Sequence, residues 1–447
     1  MSSPDNGMTL RRVAIPSLDP TALFEVGVED GVIARIDAVA DRADGAAPEL
    51  WPGYVEPHAH LALPANFDDS LDDPRLIALQ YLYHGVTHVV DMFGFPLVQS
   101  RWESGRAESA LPYPELAHCG YAATATRDRE GRTGHGVEFP SPVFMLGGPE
   151  DLASVLRSNR ERGGTFLKVM FTDGTEQPEM AKRFSRLSTQ VLEHTARVTR
   201  EQGVPAVLDC NTRAEVLQAY RCGFRNFAHP VRDFELSAAD WRELDGARFI
   251  STLSGLRPMI MERAEFLQEY GRPGFLETQD GANLRFVAGV EEPYGIQYKC
   301  QDTRTAALVT MRRNSLEALR RGRLLVGTDC GNTGAFHGYS LLGELDLLAG
   351  DEFGAAQLRH GLRLAATADG WRFFNELAGR EAADHPLTVG SAATFNLFTA
   401  PAPGATPAAL SALPDSTVVH GVAIDRRALA REIRAIRESA AEGKVVL

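Results

Sequence analysis

Short apolar runs alternate with amphipathic stretches along most of the chain. Residues 87–92 (THVVDM), 166–171 (FLKVMF), 204–208 (VPAVL), 225–228 (RNFA), 249–253 (FISTL) and 324–328 (LLVGT) each read as a buried strand. Between them Ala, Leu, Arg and Glu recur at 3.6-residue spacing, as over 188–202 and 213–222. Apolar strand, polar loop and amphipathic helix, repeated in that order, predict a parallel α/β core. The ends of the chain read differently. Residues 8–52 predict short strands and turns, and 24–36 (FEVGVEDGVIARI) alternates around Asp30-Gly31, a hairpin signal. A similar pattern returns over 388–398 and 416–423. No short internal repeat exists beyond the βα alternation.

These patterns predict a (β/α)8 barrel over residues 53–386, inserted into a small β-sandwich domain made of residues 1–52 plus 387–447. One interruption, 257–304, is rich in Gly, Pro and aromatics and predicts a cover over a substrate pocket. Residues 400–414 read as a surface loop. Residues 425–441 read as an Arg/Glu-laced helix whose charges a solvated face explains.

Composition narrows the partners. The 447 residues are 44% hydrophobic and 23% charged, enough to bury a large core, and a net charge of -13 offers no basic surface to nucleic acid. The N-terminal residues have no apolar h-region, and no run approaches the ~18 apolar residues that span a bilayer. The expectation is a cytoplasmic protein with a small-molecule substrate, no nucleic acid and no membrane partner. The five cysteines (119, 210, 222, 300 and 330) are scattered with no C-x-x-C pair, so neither a disulfide framework nor a thiolate zinc site is indicated. Cys210 and Cys330 each follow a candidate metal ligand. Because successive strand side chains point to opposite faces, they are expected to pack behind the site.

The sharpest chemical signal is Pro52-Gly53-Tyr54-Val55-Glu56-Pro57-His58-Ala59-His60. Histidines at i and i+2 at the end of an apolar strand project from one face and can bind one first-row metal ion. This stretch resembles the first barrel strand of the amidohydrolase superfamily, P-G-x-[IV]-[DE]-x-H-x-H. Gly85 to Met92 (GVTHVVDM) is similar to the second strand of its imidazolonepropionase and prolidase-like branch. The resemblance continues in order through almost the whole chain.

The resemblance implies a site residue by residue. Lys168 stands where the family has a lysine whose CO2-carboxylated amine bridges two metals; a lysine snorkelling to the rim is the alternative. His229, in NFAHP, matches a histidine ligand, and Asp329, in VGTDCG, matches the aspartate that binds metal and takes the proton of the attacking water. The fifth strand departs from the pattern, with Asp209 where the family has histidine. Its twenty-residue separation from His229 suits one crossover helix. Asp209 either coordinates through oxygen, which favours iron or manganese over a histidine-type zinc site, or marks a damaged second site. The implied metal set is His58, His60, Lys168, Asp209, His229 and Asp329, holding two divalent ions, with Asp329 and Lys168 as the catalytic pair.

Weaker signals remain open. His337, in the loop after the last strand, is a candidate substrate contact or an ordinary loop residue. Tyr298 and Arg257, in the insertion, are candidates to orient a substrate carbonyl or carboxylate. His88 stands where the family has threonine and carries no assigned role. Residues 389–395 (VGSAATF) resemble the family's G-x-x-A-D strand without its aspartate.

The implied reaction is attack by a metal-activated hydroxide on an acyl carbon of an amide, cyclic amide, ester or thioester. A biosynthetic thioesterase using iron is one alternative, because Phe266, Tyr270, Phe275, Phe286, Tyr294 and Tyr298 either suit a bulky apolar acyl group or pack the insertion. A non-catalytic ligand-binding relative is another. A mononuclear deaminase needs an acid/base Glu near the fifth strand, and Glu215 is too far along its helix. The family also implies a homodimer.

Overall fold

The computed structural model describes residues 7–42, 47–63, 74–137, 143–176, 183–289, 301–350, 356–381, 383–399 and 410–441. Its core is mixed α/β with two parallel sheets. One holds Tyr54–Ala59, Val86–Asp91 and Glu115–His118. The other has seven strands in the order Leu324–Leu325, Arg248–Ile250, Asn226–Phe227, Ala206–Asp209, Leu167–Met170, Ala122–Ala125, Val143–Leu146. The sheets meet on both flanks. On one, Ala59 pairs in parallel with Cys330, with His60 N donating to Cys330 O at 2.8 Å and Asp329 N to His58 O at 2.9 Å. On the other, Thr165 N donates to His118 O at 3.0 Å.

Every residue of Tyr54–Ala59 and of Leu167–Met170 is buried, as expected of parallel strands covered on both faces. The covering helices carry their own start and stop signals. Ser188 caps Thr189–Glu201 by accepting from Val191 N. Thr212 and Glu215 form a capping box on Arg213–Cys222, which Gly223 ends at φ 113°.

The two ends of the chain share one sheet, not the two stacked sheets of a sandwich. Its order is Val422–Ala423, Ser416–Val419, Phe395–Phe398, Glu49–Pro52, Met8–Ile15, Asp19–Glu29, Val32–Arg42. It curls until Ile33 N reaches Ser391 O at 2.8 Å and Val32 bridges Ala392. Alternation of apolar and polar residues is common to a curled sheet and a sandwich, so the pattern does not separate them. The hairpin turn falls on Asp30 and Gly31, both at positive φ (48° and 81°), as a two-residue I′ turn requires. Inside the curl, Val13, Ile15, Val26, Ile33, Phe395 and Val418 form an apolar core of their own.

The insertion is helical where described, with Arg263–Tyr270, Pro273–Thr278 and Gly281–Ala288 leading toward the long helix Gln301–Arg320. Phe266, Tyr270 and Phe275 are buried with Met261 and Phe336 in a separate cluster, each ring contributing about 1.5–3 kcal/mol by burial. Tyr294, Tyr298 and Cys300 lie outside the described residues. Among the described residues no helix is long and apolar enough to cross a membrane.

Candidate metal centre

Three side chains from the two sheet edges meet at one point. His58 and His60 close the strand Tyr54–Ala59, and Asp329 follows Leu324–Leu325. Asp329 Oδ1 lies 3.1 Å from His58 Nε2 and 3.0 Å from His60 Nε2, and the two Nε2 atoms are 3.2 Å apart. Asp329 holds positive φ (60°), a strained backbone for aspartate that the Asp329 N–His58 O hydrogen bond fixes in place. Space here is tight: a Cβ on Gly331 (φ 97°) would lie 2.2 Å from His60 O, so only glycine fits.

A second group adjoins the first. Lys168, fully buried, places Nζ 3.5 Å from His58 Nε2 and 3.7 Å from Asp209 Oδ2. His229 Nε2 is 3.7 Å from the same Asp209 oxygen, and the His58 and His229 rings are 4.9 Å apart. All six residues that the sequence nominates as metal ligands therefore gather in one buried spot.

The surrounding contacts aim the nitrogens. His58 Nδ1 lies 3.0 Å from Ala228 O, and a carbonyl can only accept, so Nδ1 carries the proton and Nε2 presents its lone pair to the cluster. Thr252 Oγ1 holds His229 Nδ1 at 2.8 Å, from a threonine at φ 48°. Glu56 accepts from His58 N (3.1 Å), Thr328 N (3.0 Å) and Thr328 Oγ1 (2.6 Å), tying the first strand to the last; burial pushes its carboxyl up to about 8 against these bonds. Glu344 fixes the segment after Thr252 by accepting from Leu253 N and Ser254 N. Glu215 accepts from Asn211 N, Thr212 N and Asp173 N, a structural role.

Electrostatics favours a bound cation. Burial opposes ionisation of Asp209, yet Lys168 and His229 outweigh it and hold the carboxyl well below the usual range. Asp329 is held low in the same way, by His58 and His60 against burial. Burial, then the Lys168 charge, lowers His58 to about 3, so its ring is neutral. Asp209 Oδ1, Asp329 Oδ1 and His60 Nδ1 are buried without a hydrogen-bond partner. Neutral imidazoles and ionised carboxylates with open lone pairs suit divalent metal ions, and His58, His60 and Asp329 already stand at ligand spacing.

The remaining candidates separate. His337 is buried, with Nδ1 3.0 Å from Tyr81 OH, which also lies 3.1 Å from Cys330 Sγ. Arg257 pairs with Glu265 and lines a cavity of about 420 Å³ with Glu269, Arg312 and Asp346; none of the six clustered residues lines it. Cys210 and Cys330 are fully buried. His88 hydrogen-bonds Thr87 Oγ1 at 2.8 Å and packs on Phe374, away from the cluster. Sequence reasoning missed Thr252, whose role depends on a contact between two strands. It also passed over Glu56, although the acidic position of the first-strand motif marks it.

No protein-family model and no curated protein matches the sequence. Solved structures do match. A bottromycin amidohydrolase is 21% identical over 98% of this chain and 91% of its own, with a TM-score of 0.65. A Xaa-Pro dipeptidase with bound methionine in its active site is 12% identical, covering 94% and 99%, at 0.64. The ochratoxinase of A. niger is 15% identical, covering 90% of each chain, at 0.59. At such identities the likeness speaks for architecture alone: this chain shares its overall fold with these solved structures.

Proposed function

We propose that the chain is a metal-dependent hydrolase that cleaves an acyl derivative of a small molecule at a two-metal centre. The observation that supports it is the convergence of His58, His60, Lys168, Asp209, His229 and Asp329, with unpartnered carboxylate oxygens facing neutral imidazoles. His58, His60 and Asp329 are read as one metal's ligands, Asp209 and His229 as the other's, with Lys168 between. Lys168 fits the bridging role if its neutral amine adds CO2 and releases a proton, leaving an anionic carbamate. When bound, divalent ions supply a Lewis acid for the carbonyl oxygen and a water that ionises near neutral pH. Asp329, ionised at neutral pH, accepts the proton of the attacking water and returns it to the leaving group. The oxygen ligand Asp209 makes the second position harder, favouring iron or manganese over zinc.

The meeting of the two parallel sheets at Ala59–Cys330 and Thr165–His118 supports reading them as one (β/α)8 barrel over residues 53–386. Residues 1–52 and 387–447 then form the β domain. An amide is favoured over a thioester on two grounds. The similar structures include an amidohydrolase and a dipeptidase. The insertion's described aromatics are largely buried against one another, which withdraws the apolar acyl pocket they offered.

Metal content tests the reading, measured by elemental mass spectrometry on protein purified without added metal or chelator. About two ions per chain are expected, falling to about one in Asp209→Ala. No metal in either protein after reconstitution overturns the hydrolase and leaves a ligand-binding relative.

A further inference from the structure

Beside the metal cluster, the ends of three adjacent parallel strands carry a second polar group. Thr172 and Glu176 follow Leu167–Met170, Asn211 follows Ala206–Asp209, and Arg232 follows Asn226–Phe227. Asn211 Nδ2 donates to Glu176 Oε1 at 2.8 Å and to Thr172 Oγ1 at 3.2 Å. The carboxylate accepts only, so this orientation of the amide is the one its neighbour requires. Arg232 N donates to Asn211 O at 2.8 Å, and its Nη1 lies 3.9 Å from Glu176 Oε1. Arg232 is near enough to the cluster that its charge joins burial in lowering His229.

The group is tied together yet incomplete. Glu176 Oε2, Asn211 Oδ1 and Arg232 Nε are all buried with no hydrogen-bond partner. The Glu176 side chain is 4% exposed and Asn211 5%. Nearby Glu215 shows how this fold treats a purely structural carboxylate, with three backbone N–H groups donating to it. Three open atoms at one place, next to a candidate catalytic centre, call for a ligand that completes them. Two are acceptors and one is a donor, so the complement is a group with N–H and oxygen side by side.

We propose that Glu176, Asn211 and Arg232 form the substrate's recognition subsite and that the substrate is amino-acid-derived, carrying an amide-type N–H and C=O beside the acyl group at the metals. Glu176 and Asn211 share the one N–H in a bifurcated bond, and Arg232 donates to the C=O. The inference rests on the hydrolase reading for the placement of the acyl group. It excludes substrates that are hydrocarbon next to the reacting carbon.

Two product-like acids of equal length test it: N-acetylglycine and 4-oxopentanoate, which differ by NH against CH2. Binding of each to the protein as purified, metals included, is measured by calorimetry. N-acetylglycine is expected to bind about tenfold tighter or more, because a CH2 leaves the two acceptors unpaired. Equal binding, a preference for 4-oxopentanoate, or no binding of either overturns the proposal. Glu176→Gln exchanges an acceptor for an NH2 and is expected to reduce the preference below about threefold, with metal content and circular dichroism unchanged. A preference that survives in a folded Glu176→Gln also overturns it. Arg232→Gln is expected to weaken both acids alike, since both carry the C=O, and serves if the first variant does not fold. Two metals per chain without a preference refute this subsite alone; a preference in a protein without metal refutes the hydrolase alone.

Discussion

The two ends of the parallel strands hold similar residues arranged on opposite principles. At the entry end, Glu115 gathers Arg380 at 3.1 Å, His420 at 3.4 Å and Arg106 at 3.6 Å, and with Arg380, His420 and His88 it lines a small cavity of about 150 Å³. Each contact joins opposite signs or a donor to an acceptor, and the group is complete as it stands. At the exit end, the nitrogens of His58 and His60 face each other and share one oxygen of Asp329, while Asp209 Oδ1 stays open. Burial there leaves lone pairs converging on lone pairs. A closed ion-pair network explains itself through stability; converging acceptors suit a cation among them.

The comparison breaks if either end behaves like the other. The largest effect is expected at Asp329→Asn, which removes the proton acceptor. Turnover of an amide found by screening should fall by ~10²–10⁴-fold while the melting temperature changes little. A variant that loses stability and keeps turnover would place Asp329 among the structural carboxylates. Glu115→Gln should do the reverse, leaving turnover and metal content unchanged while lowering stability. The hydrogen bond to His420 and the Arg380 charge, against burial, lower the Glu115 carboxyl from 4.5 to about 2. A depressed carboxyl stabilises the fold in full above pH 4.5 and loses that contribution as pH falls through about 2. With His420 half-exposed, about 2 kcal/mol at neutral pH is expected. Chemical denaturation at neutral and acid pH should show the difference between wild type and variant vanish at low pH.

Smaller effects sharpen the contrast. Thr252→Ala frees His229 Nδ1 and should weaken metal binding ~10–100-fold, read by competition with a chelator. Glu56→Gln keeps an oxygen for the two backbone donors, and Thr328 Oγ1 can turn to accept from the new NH2. A stability change below about 1 kcal/mol is expected from thermal melting.

The sequence made the exit end legible wherever chemistry is carried by local spacing. His58 and His60 share a strand face, and the family resemblance points to Asp209, His229 and Asp329 at later strand ends, which the structure brings beside the two histidines. What stayed hidden depends on contacts between distant segments. Thr252 has no signature, because its positive φ and its bond to His229 arise only where two strand ends pack. Arg232 reads as an ordinary loop arginine until Asn211 and Glu176 are placed beside it. Arg257 has only the insertion's composition to mark it, and its salt bridge to Glu265 lines a separate cavity. The terminal segments announced strands but not their closure, since a curled sheet and a sandwich share one alternation.

The bond from Thr328 to Glu56 spans 272 residues. During synthesis, the two histidines leave the ribosome long before Asp329 exists, so the cluster of His58, His60 and Asp329 cannot be completed until the parallel core is nearly all made. Such distant closure raises the loop entropy to be overcome and slows the final step of folding. If the cluster takes metal as proposed, loading is a late event in the life of the chain, and an N-terminal fragment ending before residue 329 would hold the motif without the affinity.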